Sequence, residues 1–262
     1  MKISPYIDLN RIEFVVTYRC TGSCAHCSLG DKLNRPGDRS HVRPEAAADM
    51  IERLSRLFPI ASVMTFGGEP LLCPEVTAAI HRAAAHCGVG ARQLITNGYF
   101  TKDENRIREV AGLLKASGVN DLLISVDAFH QRTIPLDAVR RFAESAKQAG
   151  IPDIRLSPAW VVNSGHENPY NSETKELLAK LSGFPVSEGN DIILEGNAAE
   201  TLAEYYPPGV RPTSPYYEPP TAVKTLSVEP GGDVTASSFV IGNIYDEDIE
   251  DIIARYDPST YI

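Results

Sequence analysis

Residues 12–27 read Ile-Glu-Phe-Val-Val-Thr-Tyr-Arg-Cys-Thr-Gly-Ser-Cys-Ala-His-Cys. The apolar run 12–17 predicts a buried strand, and three cysteines follow it: Cys20, Cys24 and Cys27. Three thiolates at C-x3-C-x2-C spacing suit an iron–sulfur cluster, which needs four ligands. One iron of such a cluster would stay open to another ligand.

The alternative for these cysteines is a structural zinc site in a scaffold or regulatory protein. Such a site needs a fourth ligand to complete a tetrahedron, and His26 and His41 are the candidates. His26 lies between two of the thiolates, so it cannot easily turn back to the same metal. The loop therefore favours a cluster over zinc.

A second motif, Gly67-Gly68-Glu69-Pro70, ends the next predicted strand, 61–66. Glycines at the end of a strand let backbone groups approach a ligand closely, because no Cβ intervenes. Alone, this tetrapeptide would usually be a turn. One strand and one helix after the cysteine loop, it resembles the corresponding motif of the radical S-adenosylmethionine (SAM) enzymes.

That resemblance implies two cofactors. A [4Fe-4S] cluster would be bound by Cys20, Cys24 and Cys27, and SAM would occupy the open iron. Reductive cleavage of SAM would then give a 5′-deoxyadenosyl radical that abstracts a substrate hydrogen atom. In such enzymes the cofactors carry the chemistry and the protein positions and shields them.

The resemblance also implies SAM-binding residues at the ends of successive strands. His26 would lie near the adenine, and the 67–70 segment would hold the SAM amino group. Ser125, with Asp127 second, would bind the ribose, and Arg155 would pair with the SAM carboxylate as a planar fork. The SAM-binding set implied by the resemblance is His26, Gly67, Gly68, Glu69, Pro70, Asn97, Ser125, Asp127, Arg155, Ser157 and Asn197.

Each of the weaker positions also has a structural interpretation. Asn97-Gly98 favours a turn for its own reasons, and Arg155 suits a surface position near a strand start. Asn197 is the weakest match in the set.

Two residues are candidates for direct chemistry. His130 follows the fourth predicted strand, at the mouth of a barrel, where proton transfer is possible, although a lone loop histidine is more often solvated. Cys73 lies just behind the 67–70 segment and is a candidate hydrogen-atom donor, as are the tyrosines near Tyr205 and Tyr216. An ordinary buried cysteine is the alternative for Cys73, since such thiols behave as small apolar groups. A helix separates it from Cys87 by about 20 Å, beyond disulfide reach.

Apolar runs alternate with amphipathic stretches, which predicts βα units and a parallel sheet. The pattern fits an α/β fold, a partial (β/α)6 barrel within residues 1–204, with motif residues at the ends of its strands. Strands are expected near 12–17, 61–66, 92–96, 121–126, 153–162 and 190–195, and helices near 44–57, 75–87, 103–117, 136–149 and 172–182.

Residues 205–262 form a short extension packed on the same domain in this interpretation. It begins with the Pro- and Tyr-rich crossing 205–220 and continues as a β-hairpin and a helix. Residues 226–253 resemble the start of the SPASM extension of peptide-modifying radical SAM enzymes, through Gly232, Val234, Gly242 and Asn243. Where that extension has a cluster cysteine, this chain has Ala236 or Ser237, so an auxiliary cluster is not expected.

Composition limits the remaining possibilities. The net charge of −9 opposes the positive field that nucleic-acid binding needs. Five cysteines, three of them clustered, do not suit a disulfide framework. No apolar run is long enough for a membrane helix and no signal peptide is visible, which predicts a cytoplasmic protein without membrane contact.

The predicted substrate is a ribosomally made peptide or protein, which the enzyme would epimerise, cross-link or mature. Only 19 residues precede Cys20, which leaves no room for a separate leader-recognition domain, so a small-molecule metabolite is the alternative. An electron donor such as flavodoxin or ferredoxin is the expected partner.

Overall fold

The structure is a computed structural model that describes residues 3–38, 40–208 and 217–261. Residues 209–216 of the Pro- and Tyr-rich crossing, including Tyr216, lie outside the described residues. Within these ranges, no helix combines the length and apolar character needed to cross a membrane.

Strands and helices alternate through most of the chain. The strands are β1 (Ile7–Val15), β2 (Ser62–Phe66), β3 (Ala91–Thr96), β4 (Asp121–Ser125), β5 (Asp153–Ser157), β6 (Ala159–Trp160), β7 (Asn190–Asp191), β8 (Val223–Val228), β9 (Asp233–Ala236) and β10 (Phe239–Asn243). The helices are α1 (Pro44–Leu57), α2 (Pro74–His86), α3 (Glu104–Ala116), α4 (Leu136–Ala149), α5 (Pro169–Ala179), α6 (Asn197–Thr201) and α7 (Ile249–Ala254).

Eight strands form one sheet in the order β10-β9-β8-β1-β2-β3-β4-β5. From β8 to β5 every neighbouring pair is parallel, and β9 and β10 continue the sheet antiparallel. This confirms the predicted α/β fold with a parallel central sheet. The carboxyl ends of β1 to β5 therefore meet at one edge, as the motif positions require.

The helices cover one face of the sheet with two apolar clusters. Beneath β1 and β2, Phe14 and Val63 pack with residues of α1, α2 and α7. Beneath β3 to β5, Leu94 and Leu122 pack with α3, α4 and α5. Burying these side chains stabilises the fold by roughly 1.5–3 kcal/mol each.

The opposite face is polar at the amino ends of the strands. Arg11 contacts Glu13 at 2.5 Å and Gln93 Oε1 at 2.7 Å, and Gln93 donates to Asp121 Oδ2 at 2.6 Å. Arg155 pairs with Asp121 from the next strand. The network links β1, β3, β4 and β5, while the carboxyl ends of the strands stay free for the site.

Two predicted strands are shorter than expected. The stretch 153–162 divides at Pro158, which has no N–H to continue the ladder, into β5 and the two-residue β6. Of 190–195 only Asn190–Asp191 is a strand, and it pairs with β6 in a separate two-stranded sheet. The expected sixth strand is therefore not a neighbour of β5 in the main sheet.

The C-terminal extension joins the main sheet through β8, which runs parallel to β1 with Ile12 opposite Leu226. β9 and β10 form the predicted hairpin, and α7 follows it. The division of the chain near residue 205 stays a prediction.

Candidate active site

The cysteine loop follows β1 at the carboxyl edge of the sheet. The loop backbone is fixed by Asn34, whose Oδ1 accepts from Cys20 N at 2.8 Å, and by a turn from Cys27 N to Cys24 O at 3.2 Å. Cys20 Sγ accepts from Gly22 N at 3.3 Å and contacts Asn97 Nδ2 at 3.6 Å. The first thiol is therefore held in place by hydrogen bonds before any metal binds.

All three thiols line one cavity of about 220 Å³. Burial raises the pKa of Cys20 to about 11 and raises that of Cys24 further. Without a metal these two thiols are neutral at ordinary pH, whereas iron binds thiolates and so favours their ionisation. Three sulfurs around one cavity fit a cluster that leaves one iron open.

The other two cysteines lie elsewhere. Cys73 and Cys87 pack against the apolar cluster beneath β1 and β2, and neither lines a cavity of the site. Cys73 therefore faces the helix layer, away from the cleft, and the geometry does not support it as a hydrogen-atom donor. Its thiol is half buried, which raises its pKa.

The segment 67–70 packs backbone against backbone on the residues before Cys20. Gly68 N donates to Thr17 O at 2.9 Å, and Glu69 N donates to Arg19 O at 2.7 Å. A Cβ at position 68 would lie 2.2 Å from Arg19 O, and Gly67 has φ +131°. Both glycines also line the thiol cavity, so they serve the loop and the ligand space together.

Glu69 is fully buried, and both of its oxygens are occupied. Oε1 accepts from Leu71 N at 2.9 Å and from Thr96 Oγ1 at 2.6 Å, and Oε2 accepts from Asn97 N at 2.8 Å. Burial raises its pKa to about 7 against the effect of these donors. Glu69 thus holds the end of β3, and Pro70 is buried beside it. Direct contact of either residue with SAM stays a prediction.

A second cavity, of about 240 Å³, continues the first. The two cavities share His26, Ser28, Ile95, Ser125 and His130, so we describe them as one cleft. Ser125 and Ser157 face each other across β4 and β5 and line its second half. Together with the cysteines and glycines they form the set that the sequence predicted to share a site.

Asp127 is fully buried, lines the second cavity and fixes the loop after β4. Its Oδ1 accepts from Phe129 N and His130 N, and its Oδ2 lies 2.8 Å from His130 Nδ1. Burial opposes ionisation, but the neighbouring His130 holds the pKa of Asp127 well below its usual range. Burial likewise disfavours the imidazolium, yet Asp127 keeps the pKa of His130 above its ordinary value.

His26 packs between two rings on the cleft wall. Its ring centroid lies 4.9 Å from that of Phe129 and 4.9 Å from that of His130. Burial lowers its pKa to about 4, so the ring is neutral. A neutral, partly stacked ring on the wall suits the predicted place beside an adenine.

Arg155 and Asn197 lie outside the lining of the cleft. Arg155 forms ion pairs with Asp121 and, at 3.0 Å, with Asp153, so its charge is neutralised at the amino end of the sheet. The predicted pairing of Arg155 with the SAM carboxylate therefore does not match its position. Asn197 holds the cysteine loop instead: its backbone N donates to Cys27 O at 3.0 Å and its Nδ2 to Cys24 O at 3.1 Å.

Sequence reasoning missed part of the cleft wall. Ile192 and Ile193 line the second cavity beside β7, together with Ile95 from β3. Ile192 and Ile193 belonged to one predicted strand and Ile95 to another. The pattern of apolar residues therefore indicated strand positions and gave no sign of a place in the cleft. Thr201 was also missed, and its hydroxyl donates to Ala25 O at 2.7 Å.

Comparison with known proteins decides the family. The model of the radical SAM superfamily matches residues 14–181, which include the end of β1, the cysteine loop and β2 to β5. The chain belongs to the radical SAM superfamily. The expected class of enzyme, with its [4Fe-4S] cluster and SAM, is thereby confirmed.

Curated relatives share this part of the chain. The GTP 3′,8-cyclase 2 of Pseudomonas aeruginosa is 28% identical over 166 residues, 60% of this chain and 46% of the relative. The GTP 3′,8-cyclase of Ectopseudomonas mendocina is 28% identical over 190 residues, 69% of this chain and 52% of the relative. This radical SAM chain spans about half the length of the curated relatives it matches.

Solved structures show the same fold. Native anSMEcpe with bound AdoMet has a TM-score of 0.58 at 17% identity, covering 97% of this chain and 83% of that one. BtrN in complex with AdoMet and 2-DOIA has a TM-score of 0.56 at 17% identity, covering 100% and 87%. At this level of identity the likeness concerns the fold alone.

Proposed function

We propose that this chain cleaves SAM reductively and uses the resulting radical to abstract a hydrogen atom from an organic substrate. The observation that carries the proposal is the cleft itself, in which the three thiols, Gly67, Gly68 and Ser125 line one cavity. When bound, the cluster supplies the electron that cleaves SAM to methionine and a 5′-deoxyadenosyl radical. The remaining tasks fall to the side chains of the cleft.

Those tasks are positioning and shielding. Gly67 and Gly68 position the loop, because without a Cβ their backbone packs directly on that of the residues before Cys20, beside the cavity that both glycines line. Ser125 offers its hydroxyl group to the ribose, Ser157 offers one to the SAM carboxylate, and His26 offers a neutral ring to the adenine. Ile95 and Ile192 give the cleft an apolar surface that excludes water, which protects a reactive radical.

For the substrate we retain a peptide or protein. A groove of about 610 Å³ runs between the cysteine loop and the β9–β10 hairpin, and it adjoins the cleft at Ser28 and Leu29. Its charged residues are two cations, Lys32 and Arg35, and four carboxylates, Asp38, Glu195, Glu229 and Asp233. An open groove beside the cleft suits an extended chain.

A small-molecule metabolite is the second candidate, and the names of the curated relatives favour a nucleotide such as GTP. The charge of the groove argues against it, because a triphosphate needs a surplus of cationic groups. SAM consumption, with a flavodoxin or ferredoxin as electron donor, completes the proposal.

The first experiment tests SAM cleavage. The anaerobically reconstituted protein, given dithionite and SAM, should release 5′-deoxyadenosine and methionine slowly, since closure around substrate normally completes such sites. S-adenosylhomocysteine as the dominant product, without 5′-deoxyadenosine, would overturn the proposal. The Cys24→Ala variant is the matched inactive control.

The second experiment tests the substrate class. Cell extract is divided by size, and each fraction is assayed for acceleration of 5′-deoxyadenosine release before and after protease digestion. Acceleration by the large fraction that is lost on digestion supports a peptide or protein. Protease-resistant acceleration by the small fraction, or turnover of added GTP, would replace the peptide with a metabolite and leave SAM cleavage intact.

A further inference from the structure

Three metal-binding side chains meet in the cleft in a combination different from the three cysteines. Cys24 Sγ and one ring nitrogen each of His26 and His130 all lie within 4.8 Å of one another. The position of His26 between two thiolates predicted that its ring would not turn back to a metal bound there, and the structure differs from that expectation. Two of these residues belong to the cysteine loop, while His130 comes from a 3-10 turn after β4. The fold therefore adds a distant ligand that the loop alone does not contain.

The His130 ring is oriented for this role. Its Nδ1 lies 2.8 Å from Asp127 Oδ2, and its backbone N donates to Asp127 Oδ1 at 2.9 Å. With Nδ1 occupied, Nε2 is the nitrogen that remains for a ligand. Histidines that bind metals almost always donate their other ring N–H to such a carboxylate or to a carbonyl, which fixes the tautomer and raises ligand basicity.

His26 supplies an independent observation. Its Nδ1 is buried and has no hydrogen-bond partner among the described residues. The ring cannot swing freely, because Phe129 and His130 hold it from two sides at centroid distances of 4.9 Å. A buried ring nitrogen without a partner is costly, and such an atom points to a ligand that the described residues do not supply.

One thiolate and two neutral imidazoles are the ligands that zinc-type cations prefer. Bonds of roughly 2.0–2.3 Å place tetrahedral ligand atoms roughly 3.3–3.8 Å apart, so atoms that already lie within 4.8 Å of one another need to approach by at most roughly 1.5 Å. We propose that, in the absence of the cluster, this chain binds one zinc-type divalent cation through Cys24, His26 and His130, with Asp127 orienting His130. Because Cys24 also serves the cluster, the two metals exclude each other.

Co²⁺, which reports tetrahedral coordination by its visible bands, tests the proposal on the apoprotein without SAM. The wild type should bind one equivalent. The Cys20→Ala/Cys27→Ala double variant, which lacks two cluster ligands, should bind Co²⁺ equally well. His130→Ala should weaken binding, and Asp127→Asn should weaken it by roughly 10–100-fold. His86→Ala, an exposed histidine on α2, is the matched control and should change nothing.

Loss of Co²⁺ binding in the double variant, with an unchanged circular dichroism spectrum, would place the ion on the three cysteines and overturn the proposal. Wild-type affinity in a folded His130→Ala variant would do the same. His130→Gln serves as a second variant if the alanine variant does not fold. The assay uses no SAM, so its failure is distinct from a failure of SAM cleavage.

Discussion

The cysteine loop is held from two sides that differ in kind. On the side of the 67–70 segment, Gly68 and Glu69 bond to Thr17 and Arg19 through backbone atoms, with no space for a side chain. On the side of α6, two side chains, Asn197 and Thr201, donate to loop carbonyls. On the first side, a substitution that adds a side chain should therefore disrupt the whole contact. On the second side, each substitution should remove only one hydrogen bond.

Gly68→Val gives the largest expected effect. The new Cβ would lie 2.2 Å from Arg19 O, and only a shift of the backbone next to Cys20 relieves the contact. We expect loss of the bound iron together with SAM affinity, and destabilisation of about 1–3 kcal/mol or more. Iron analysis and chemical denaturation measure the two effects.

Gly112→Ala on α3 is the control, because no atom outside its helix lies within 4 Å of the added Cβ. It should keep full iron content and gain about 0.5–1 kcal/mol, the advantage of alanine over glycine within a helix. A Gly68→Val protein with wild-type iron and SAM affinity would show that the tight contact has no functional consequence.

Lowering the pH should destabilise the side of the 67–70 segment and leave the side of α6 unaffected. His81 on α2 is fully buried behind β2, with Nε2 2.8 Å from Thr65 Oγ1, two residues before Gly67. Burial lowers its pKa from 6.5 to about 3. As the pH falls between these values, the unfolded chain binds this proton and the folded chain does not, so stability is lost.

As the pH falls, the free energy of unfolding of the wild type should decrease by up to about 1.4 kcal/mol per pH unit relative to that of His81→Gln. Denaturation of both apoproteins across this pH range measures it. The hydrogen bonds of the α6 side involve no titratable side chain, so Asn197→Ala should not alter the pH dependence. Parallel pH curves for wild type and His81→Gln would contradict the expectation.

Asn197→Ala should have a smaller effect, because it removes the bond to Cys24 O and keeps the backbone bond to Cys27 O. Loss of one hydrogen bond should destabilise the loop by about 1 kcal/mol, which corresponds to roughly fivefold faster release of iron to a chelator. Asn105→Ala, an exposed asparagine on α3, is the matched control. Unchanged iron release in Asn197→Ala would remove α6 from the loop's support.

Thr201→Val should have the smallest effect of the series. It removes the 2.7 Å bond to Ala25 O at an exposed position, where water replaces the lost partner. We expect a destabilisation of less than about 0.5 kcal/mol and a rate of iron release close to that of the wild type. A loss larger than that of Asn197→Ala would reverse the order of the two bonds.

The two sides also differ in how far the sequence reveals them. The cysteine spacing and the glycine pair are local patterns whose chemistry requires those residue types, so both were found and both line the cleft. The role of Asn197 depends on a contact with Cys24 across more than 170 positions, which no local pattern encodes. Arg155 is a similar case, because its partner Asp121 follows from strand register.

The same contrast between local and distant causes applies to the prediction of the fold. Strands β2 to β4 and the second half of β1 were predicted from their apolar residues, whereas residues 7–11 of β1 are a mixture of apolar and polar residues and were not expected to be part of the strand. The split at Pro158 has a local cause, a missing N–H, that was overlooked. The pairing of β8 with β1 was not expected, because residues 223–228 carry nothing that specifies their neighbour.

That last pairing has a consequence for synthesis on the ribosome. β1 emerges before β8, and the edge that pairs with β8 stays unpaired until that strand has been made, more than 200 residues later. Pairings this distant in sequence form slowly, and an open edge invites association with other chains. The nascent protein therefore passes through an interval of exposure that ends only when its C-terminal extension docks, so that extension completes folding as well as one wall of the groove.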